Sequence, residues 1–287
     1  MRLRQLFIAL FLPALSACAP MTVVNLFTPT STYKVTTGIS YGDDPRHRLD
    51  VYVPYSSNFN DAATFPVVLF FYGGSWNRGE RKDFKFVAEA LASRGIVAII
   101  ADYRLYPQVR YPSFLEDAAG AVAWTRREIA RYHGDPSRIF LMGHSAGAYN
   151  AAMLALDPRW LATQNLTPAA IKGWIGLAGP YDFFPIQNPD AKPVFFHPDY
   201  PPGSLPINHV SKASPPVFLA AAITDDLVNP VQNTQHMADE LRAAGVPVTL
   251  HLYPKLNHTT LIGAFARPLR WLAPVAEDVA AFVETTR

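Results

Sequence analysis

The chain has 287 residues, 49% of them hydrophobic and 17% charged, with 25 Lys and Arg against 23 Asp and Glu. That balance suits one large globular domain or two small ones; it excludes a disordered chain, and the sequence shows no repeat of fixed period. A net charge of +2 supplies no basic surface of the kind nucleic acid requires as a partner.

At the N-terminus, Arg2 and Arg4 precede an apolar run over residues 6–15, and the small residues Ser16, Ala17, Cys18 and Ala19 follow. This is the layout of an export signal, too short and too interrupted at Pro13 to span a bilayer. Leu15-Ser16-Ala17-Cys18 is similar to the lipobox of bacterial lipoproteins, which implies removal of residues 1–17 and acylation of Cys18. Ala17-Cys18-Ala19 also reads as a soluble cleavage site, but Pro20 just past the scissile bond disfavours it. Cys18 is the single cysteine, so the exported domain has no internal disulfide and no cysteine metal site. Residues 18–33, polar and aperiodic, read as a tether. The expectation is an exported lipoprotein held at a bilayer through Cys18 and facing the periplasm or cell exterior.

Two β-rich runs follow at residues 34–41 and 48–53, separated by the turn signal Gly42-Asp43-Asp44-Pro45. Residues 66–72 (PVVLFFY) form a continuous apolar run of strand length. A helix is expected over residues 83–94, closed by Gly95, and a strand over 96–101. Another helix is expected over 113–132, then a short strand at 138–142 and a small-residue helix over 146–156. Strands at 171–178, 217–222 and 248–253 and helices at 230–244 and 268–285 complete the pattern. Apolar strands alternating with helices predict one α/β domain over residues 34–287, with a mostly parallel sheet of about eight strands covered on both faces. The prolines crowded between residues 180 and 215 mark an irregular cap insertion.

Gly143-His144-Ser145-Ala146-Gly147 is a G-x-S-x-G motif between an apolar strand and a helix, the context of a nucleophile elbow. A tight strand-to-helix turn lifts the serine over the sheet and crowds its neighbours, which is why glycine flanks it. A hydroxyl needs a base, and the base an orienting acid. Downstream, the strand at 217–222 runs into Asp225 and Asp226, and the strand at 248–253 runs into His258; both lie at carboxyl ends of strands, where such sheets bind ligands. Asp225 is the acid, with Asp226 its rival. Of the eight histidines, His144 should turn away from its neighbour Ser145, and His251 belongs to a strand surface. His47, His133, His197, His209 and His236 lie before the elbow, in the insertion or on a helix. No cluster has metal-ligand spacing, so neither metal nor cofactor is expected. Oxyanion donors are expected from the N–H of Ala146 and from the loop containing Gly73 and Gly74.

These residues carry a resemblance over about positions 35–282 to the carboxylesterase branch of α/β-hydrolases, which includes hormone-sensitive-lipase-like esterases, isoprenylcysteine methylesterases and kynurenine formamidases. Gly73-Gly74-Ser75-Trp76 matches the family's H-G-G-x-W, Asp102-Tyr103-Arg104 its D-Y-R, and Gly134-Asp135-Pro136-Ser137-Arg138-Ile139 its approach to the elbow. Asp225 to Val228 matches D-x-x-V, and Asn257-His258 matches the base segment. The resemblance implies an α/β-hydrolase fold and acyl-enzyme cleavage of carboxylic esters by Ser145, Asp225 and His258. Tyr72 departs from the pattern, standing where the family has the histidine thought to brace the oxyanion loop. Trp76 and the insertion's Tyr181, Phe183 and Phe184 either line an acyl or alcohol pocket or merely pack the insertion down. Competing functions are an aryl-formamide hydrolase and a non-catalytic surface binding module.

Overall fold

The apolar runs pair into one sheet of eight strands in the order β1-β2-β4-β3-β5-β6-β7-β8. The computed structural model describes residues 24–55 and 64–286; the expected export signal and Cys18 lie outside the described residues. The strands are β1 (Tyr33–Ser40), β2 (Arg48–Pro54), β3 (Phe65–Phe71), β4 (Val97–Ala101), β5 (Gly134–His144), β6 (Gly173–Leu177), β7 (Val217–Ala222) and β8 (Val248–Tyr253). β1 with β2 and β2 with β4 are antiparallel, and every later pairing is parallel. Every residue of β4 and β7 is buried, so both faces of the inner sheet are covered. The outer strand β1 instead exposes most of its side chains.

The helices are α1 (Lys85–Ala92), α2 (Ser113–Glu128), α3 (Ala146–Leu156), α4 (Pro158–Ala162), α5 (His236–Ala243), α6 (His258–Gly263) and α7 (Val275–Thr285). Each residue of α3 is buried, because its run of Ala and Gly lets the helix sit close upon β5 and β6. The helix expected over 268–285 is broken. Residues Arg267–Leu272 form a 3-10 helix, and α7 starts after Pro274, which lacks the N–H an uninterrupted helix would need there. The insertion carries only two 3-10 turns, Pro193–Phe195 and Pro206–His209.

The expected tether ends earlier than residue 33. From Val24 the chain is docked, because the Asn25 amide donates to the carbonyls of Lys82 and Asp83 and accepts from the N–H of Phe86. That last N–H lies in the first turn of α1 and has no intrahelical partner, so Asn25 satisfies it from outside.

Candidate active site

β5 ends at His144 and α3 begins at Ala146, so Ser145 makes the entire turn. Its φ of 54° and ψ of −122° are a strained conformation for a residue with a side chain. Hydrogen bonds hold it there. Its N–H donates to the carbonyl of Leu177 at 2.9 Å, and its own carbonyl accepts from Ala148 and Tyr149. The flanking glycines are sterically required: a Cβ on Gly147 would lie 1.9 Å from the Phe71 carbonyl oxygen, and one on Gly143 would lie 2.1 Å from the Gly147 backbone. β3 and α3 thus approach through a gap that admits hydrogen only.

Asp225 lies just beyond β7, and His258 beyond β8. Nδ1 of His258 bonds Oδ2 of Asp225 at 2.7 Å, and Oδ1 of the same carboxylate accepts the N–H groups of Leu227 and Val228, each at 2.9 Å. Burial pushes the Asp225 carboxyl up, but His258 and the two amides outweigh it and leave the group below its ordinary value. A carboxylate there makes Nδ1 the protonated nitrogen and leaves Nε2 as the lone-pair end. The rival Asp226 is exposed and borders the cleft instead. His258 is not in a loop but opens the short helix α6, whose cap Asn257 accepts the N–H of Thr260 at 2.8 Å. Among the described residues neither Ser145 Oγ nor His258 Nε2 has a hydrogen-bond partner.

Sequence reasoning says only that His144 should turn from Ser145, not what its ring meets. Its ring lies 4.8 Å from that of His258, and its Nε2 bonds the His258 carbonyl at 3.0 Å. A carbonyl only accepts, so this nitrogen carries the proton. Burial, then the neighbouring imidazole, depress its pKa to about 3, and the ring stays neutral. Through this contact His258 is set against the elbow.

The loop after β3 is braced by charge. The hydroxyl of Tyr72 donates to Asp102 Oδ1 at 2.8 Å and accepts from Arg46 at 2.7 Å. Arg81 bridges the other oxygen of Asp102, at 2.5 Å, to Asp50, at 2.8 Å. Arg46 also donates to the carbonyls of Tyr103 and Gly79, and Tyr103 donates to the carbonyl of Tyr72. The Tyr72 ring is sandwiched between Phe84 and Tyr103, with centroids 5.3 and 5.0 Å away. Tyrosine therefore fills the histidine position with a network of its own. Beyond it, Gly73 lies so near the elbow that a Cβ there would be 2.9 Å from Ser145 Cβ. Gly74 follows with φ +126°. The amides of Gly73, Gly74 and Ala146 donate to no acceptor among the described residues.

Ser145 opens into a cleft of about 380 Å³. Trp76, Phe183, Phe184 and Ile186 line it on the apolar side, and Asp226, Asn229 and Gln232 on the polar side. Trp76 is anchored by its Nε1–H donating to Asn150 at 3.0 Å. Tyr181 does not line the cleft. It is fully buried against Trp174, because Asn233 Oδ1 accepts the N–H groups of Tyr181 and Asp182 and folds that strand end inward. Both readings of the insertion hold in part: Phe183 and Phe184 face the cleft, while Phe195 packs beneath against Trp76, Tyr111, Phe114 and Tyr149. A larger hollow, about 540 Å³, lies at the amino ends of β6 and β7 and is lined by no histidine or carboxylate.

A strand-turn-helix serine beside an acid–imidazole pair, on a parallel sheet with two antiparallel pairings at one end, defines an α/β-hydrolase fold. Within it the chain belongs to the BD-FAE family, whose model matches residues 49–241. It is 31% identical over 252 residues to isoprenylcysteine alpha-carbonyl methylesterase ICME of Arabidopsis thaliana, covering 79% of this chain and 57% of that protein. It is 31% identical over 223 residues to esterase LipC of Mycobacterium tuberculosis, covering 71% and 54%. The chain spans about half the length of these relatives. The solved structure of an esterase from Pyrobaculum calidifontis matches with a TM-score of 0.73 at 20% identity, over 92% of this chain and 89% of that one.

Proposed function

We propose that the protein hydrolyses carboxylic esters through an acyl-enzyme, with Ser145 as nucleophile, His258 as general base and Asp225 as its orienting acid. The observation that carries this reading is the buried 2.7 Å bond between Asp225 and His258 beside the strained Ser145 turn. In the first half-reaction His258 Nε2 takes the Ser145 proton as Oγ bonds to the ester carbonyl carbon. The carbonyl oxygen becomes an oxyanion facing the N–H groups of Gly73, Gly74 and Ala146, which have no competing acceptor among the described residues. Collapse breaks the bond to the alcohol oxygen, which leaves with the proton from His258. Water then repeats the sequence on the acyl group, releasing acid and restoring Ser145.

The esterase names of the relatives favour esters over formamides, and an intact Ser-Asp-His set disfavours a mere binding module. Ser145→Ala is expected to abolish turnover of short-chain p-nitrophenyl esters and labelling by a fluorophosphonate, with the fold unchanged. Wild-type protein inert to a broad ester panel but active on N-formylkynurenine would move the assignment to formamides. The lipobox-like residues 15–18 support an exported enzyme anchored through acylated Cys18, which the mass of the mature N-terminus tests.

A further inference from the structure

Among the described residues, the large hydrophobic side chains most open to solvent fall in two groups. Leu227 lines the cleft, and Ile223 and Val231 lie on the same segment, within four residues of it. Leu26, Phe27, Tyr55 and Trp271, exposed to 78%, 65%, 57% and 80%, have no such explanation. They converge on one region although far apart in sequence. Tyr55 N–H bonds the Thr32 carbonyl, Thr32 Oγ1 bonds Glu89 at 3.3 Å, and Glu89 is paired at 2.5 Å with Arg270, the neighbour of Trp271. Leu26 and Phe27 follow Asn25, which is fastened to the first turn of the same helix, α1. Exposed Lys34, Lys82 and Arg267 stand among them, Lys34 over the ring of Tyr55 at 5.4 Å. Apolar and aromatic side chains mixed with basic ones compose a surface for the interfacial zone of a membrane.

We propose that this face, Leu26, Phe27, Tyr55 and Trp271, rests on the lipid bilayer that holds the N-terminus. The inference rests on the anchored reading of Cys18. Chain length argues for that occupant. Cys18 is six Cα steps from Val24, a reach of at most about 20 Å. A domain of this size is on the order of 50 Å across, so an acylated Cys18 cannot swing the far side of the molecule onto the membrane. The side where Val24 emerges is held there, and it is the side where the unexplained apolar residues gather. Scattered exposed apolar residues need no account, but a patch beside a membrane anchor does.

Trp76, Trp124, Trp160 and Trp174 are all buried, which makes Trp271 a native reporter. Full-length protein is expressed in a bacterium, purified from its membranes and reconstituted in phosphatidylcholine–phosphatidylglycerol vesicles bearing brominated acyl chains. Bromine is expected to quench Trp271, and Trp271→Phe to remove the quenched component. Leu26→Ser with Phe27→Ser is expected to reduce quenching by about twofold while the protein still floats with the vesicles. Protein that floats with Trp271 unquenched overturns the proposed face and leaves the anchor intact. Blue-shifted but unquenched Trp271 emission would mean that the chain's own N-terminal residues cover the patch, and overturns it equally. Protein that fails to float removes the anchor and the face together. No arm of the experiment depends on ester hydrolysis, so the catalytic reading stands or falls elsewhere.

Discussion

The elbow and the loop after β3 lie against each other at Gly73 and Ser145 but are held by opposite means. At the elbow the constraint is steric: Gly143 and Gly147 leave no room for a methyl group, and backbone bonds fix the strained serine. At the loop the constraint is ionic: Arg46 and Arg81 clamp Tyr72 and Asp102, with Asp50 as the outer partner. A steric lock costs little to maintain and fails when anything is added. A buried ionic brace costs desolvation and fails when one partner is removed, because the survivor is left charged and dry.

The largest effect is therefore expected from deletion at the brace. Asp102 is 4% exposed, and Asp102→Ala leaves Arg81 with Asp50 alone and the buried Tyr72 hydroxyl without an acceptor; a loss of about 3–5 kcal/mol in urea unfolding is expected. Addition at the elbow comes next. Gly147→Ala places its methyl against the backbone of Phe71, which cannot rotate away, and about 3 kcal/mol of destabilisation is expected by the same measurement. Near-neutral stability in either variant would show that its half of the site relaxes, and the contrast between the two locks would dissolve.

These two halves were also unequally legible in the sequence. Apolar runs such as residues 66–72 and 217–222 stated the strands outright, since a strand buried on both faces has no polar position to confuse the pattern. The glycines of the elbow and the order Ser145, Asp225, His258 are local signals tied to strand ends, and the structure brings Asp225, not Asp226, onto His258. The brace could not be read, because Arg46, Tyr72, Arg81 and Asp102 come from four separate segments and no spacing links them. The departure at Tyr72 was visible, but its remedy was not. Helix α6 was missed because six residues show no period; Tyr181 was misplaced because Asn233, which directs it inward, is distant in the chain. The contact of His144 was not legible for a related reason: adjacency to Ser145 bears on where its ring should not go, not on what it meets.

That meeting sets the smallest effect, one which adds a third kind of constraint to the comparison. His144 must remain neutral, with its Nε2–H on the His258 carbonyl, and burial beside a second imidazole enforces this by lowering its pKa from 6.5 to about 3. The unfolded chain therefore binds a proton near pH 6.5 that the folded protein refuses until about pH 3. Stability from this residue is complete above pH 6.5 and falls as the pH drops through that window, by about 2 kcal/mol at pH 5. His144→Gln keeps an N–H donor and cannot titrate. The difference between the two proteins in urea midpoint, measured at pH 8 and pH 5, cancels the other histidines and the carboxylates that both share. Wild type is expected to lose the 2 kcal/mol relative to the variant; parallel pH profiles would show that His144 accepts a proton in place, and that charge beside His258 is tolerated. In the proposed reaction the base itself becomes cationic, 4.8 Å from this ring. A neutral neighbour leaves that step unopposed, and the same burial that is expected to make the protein acid-sensitive keeps it so.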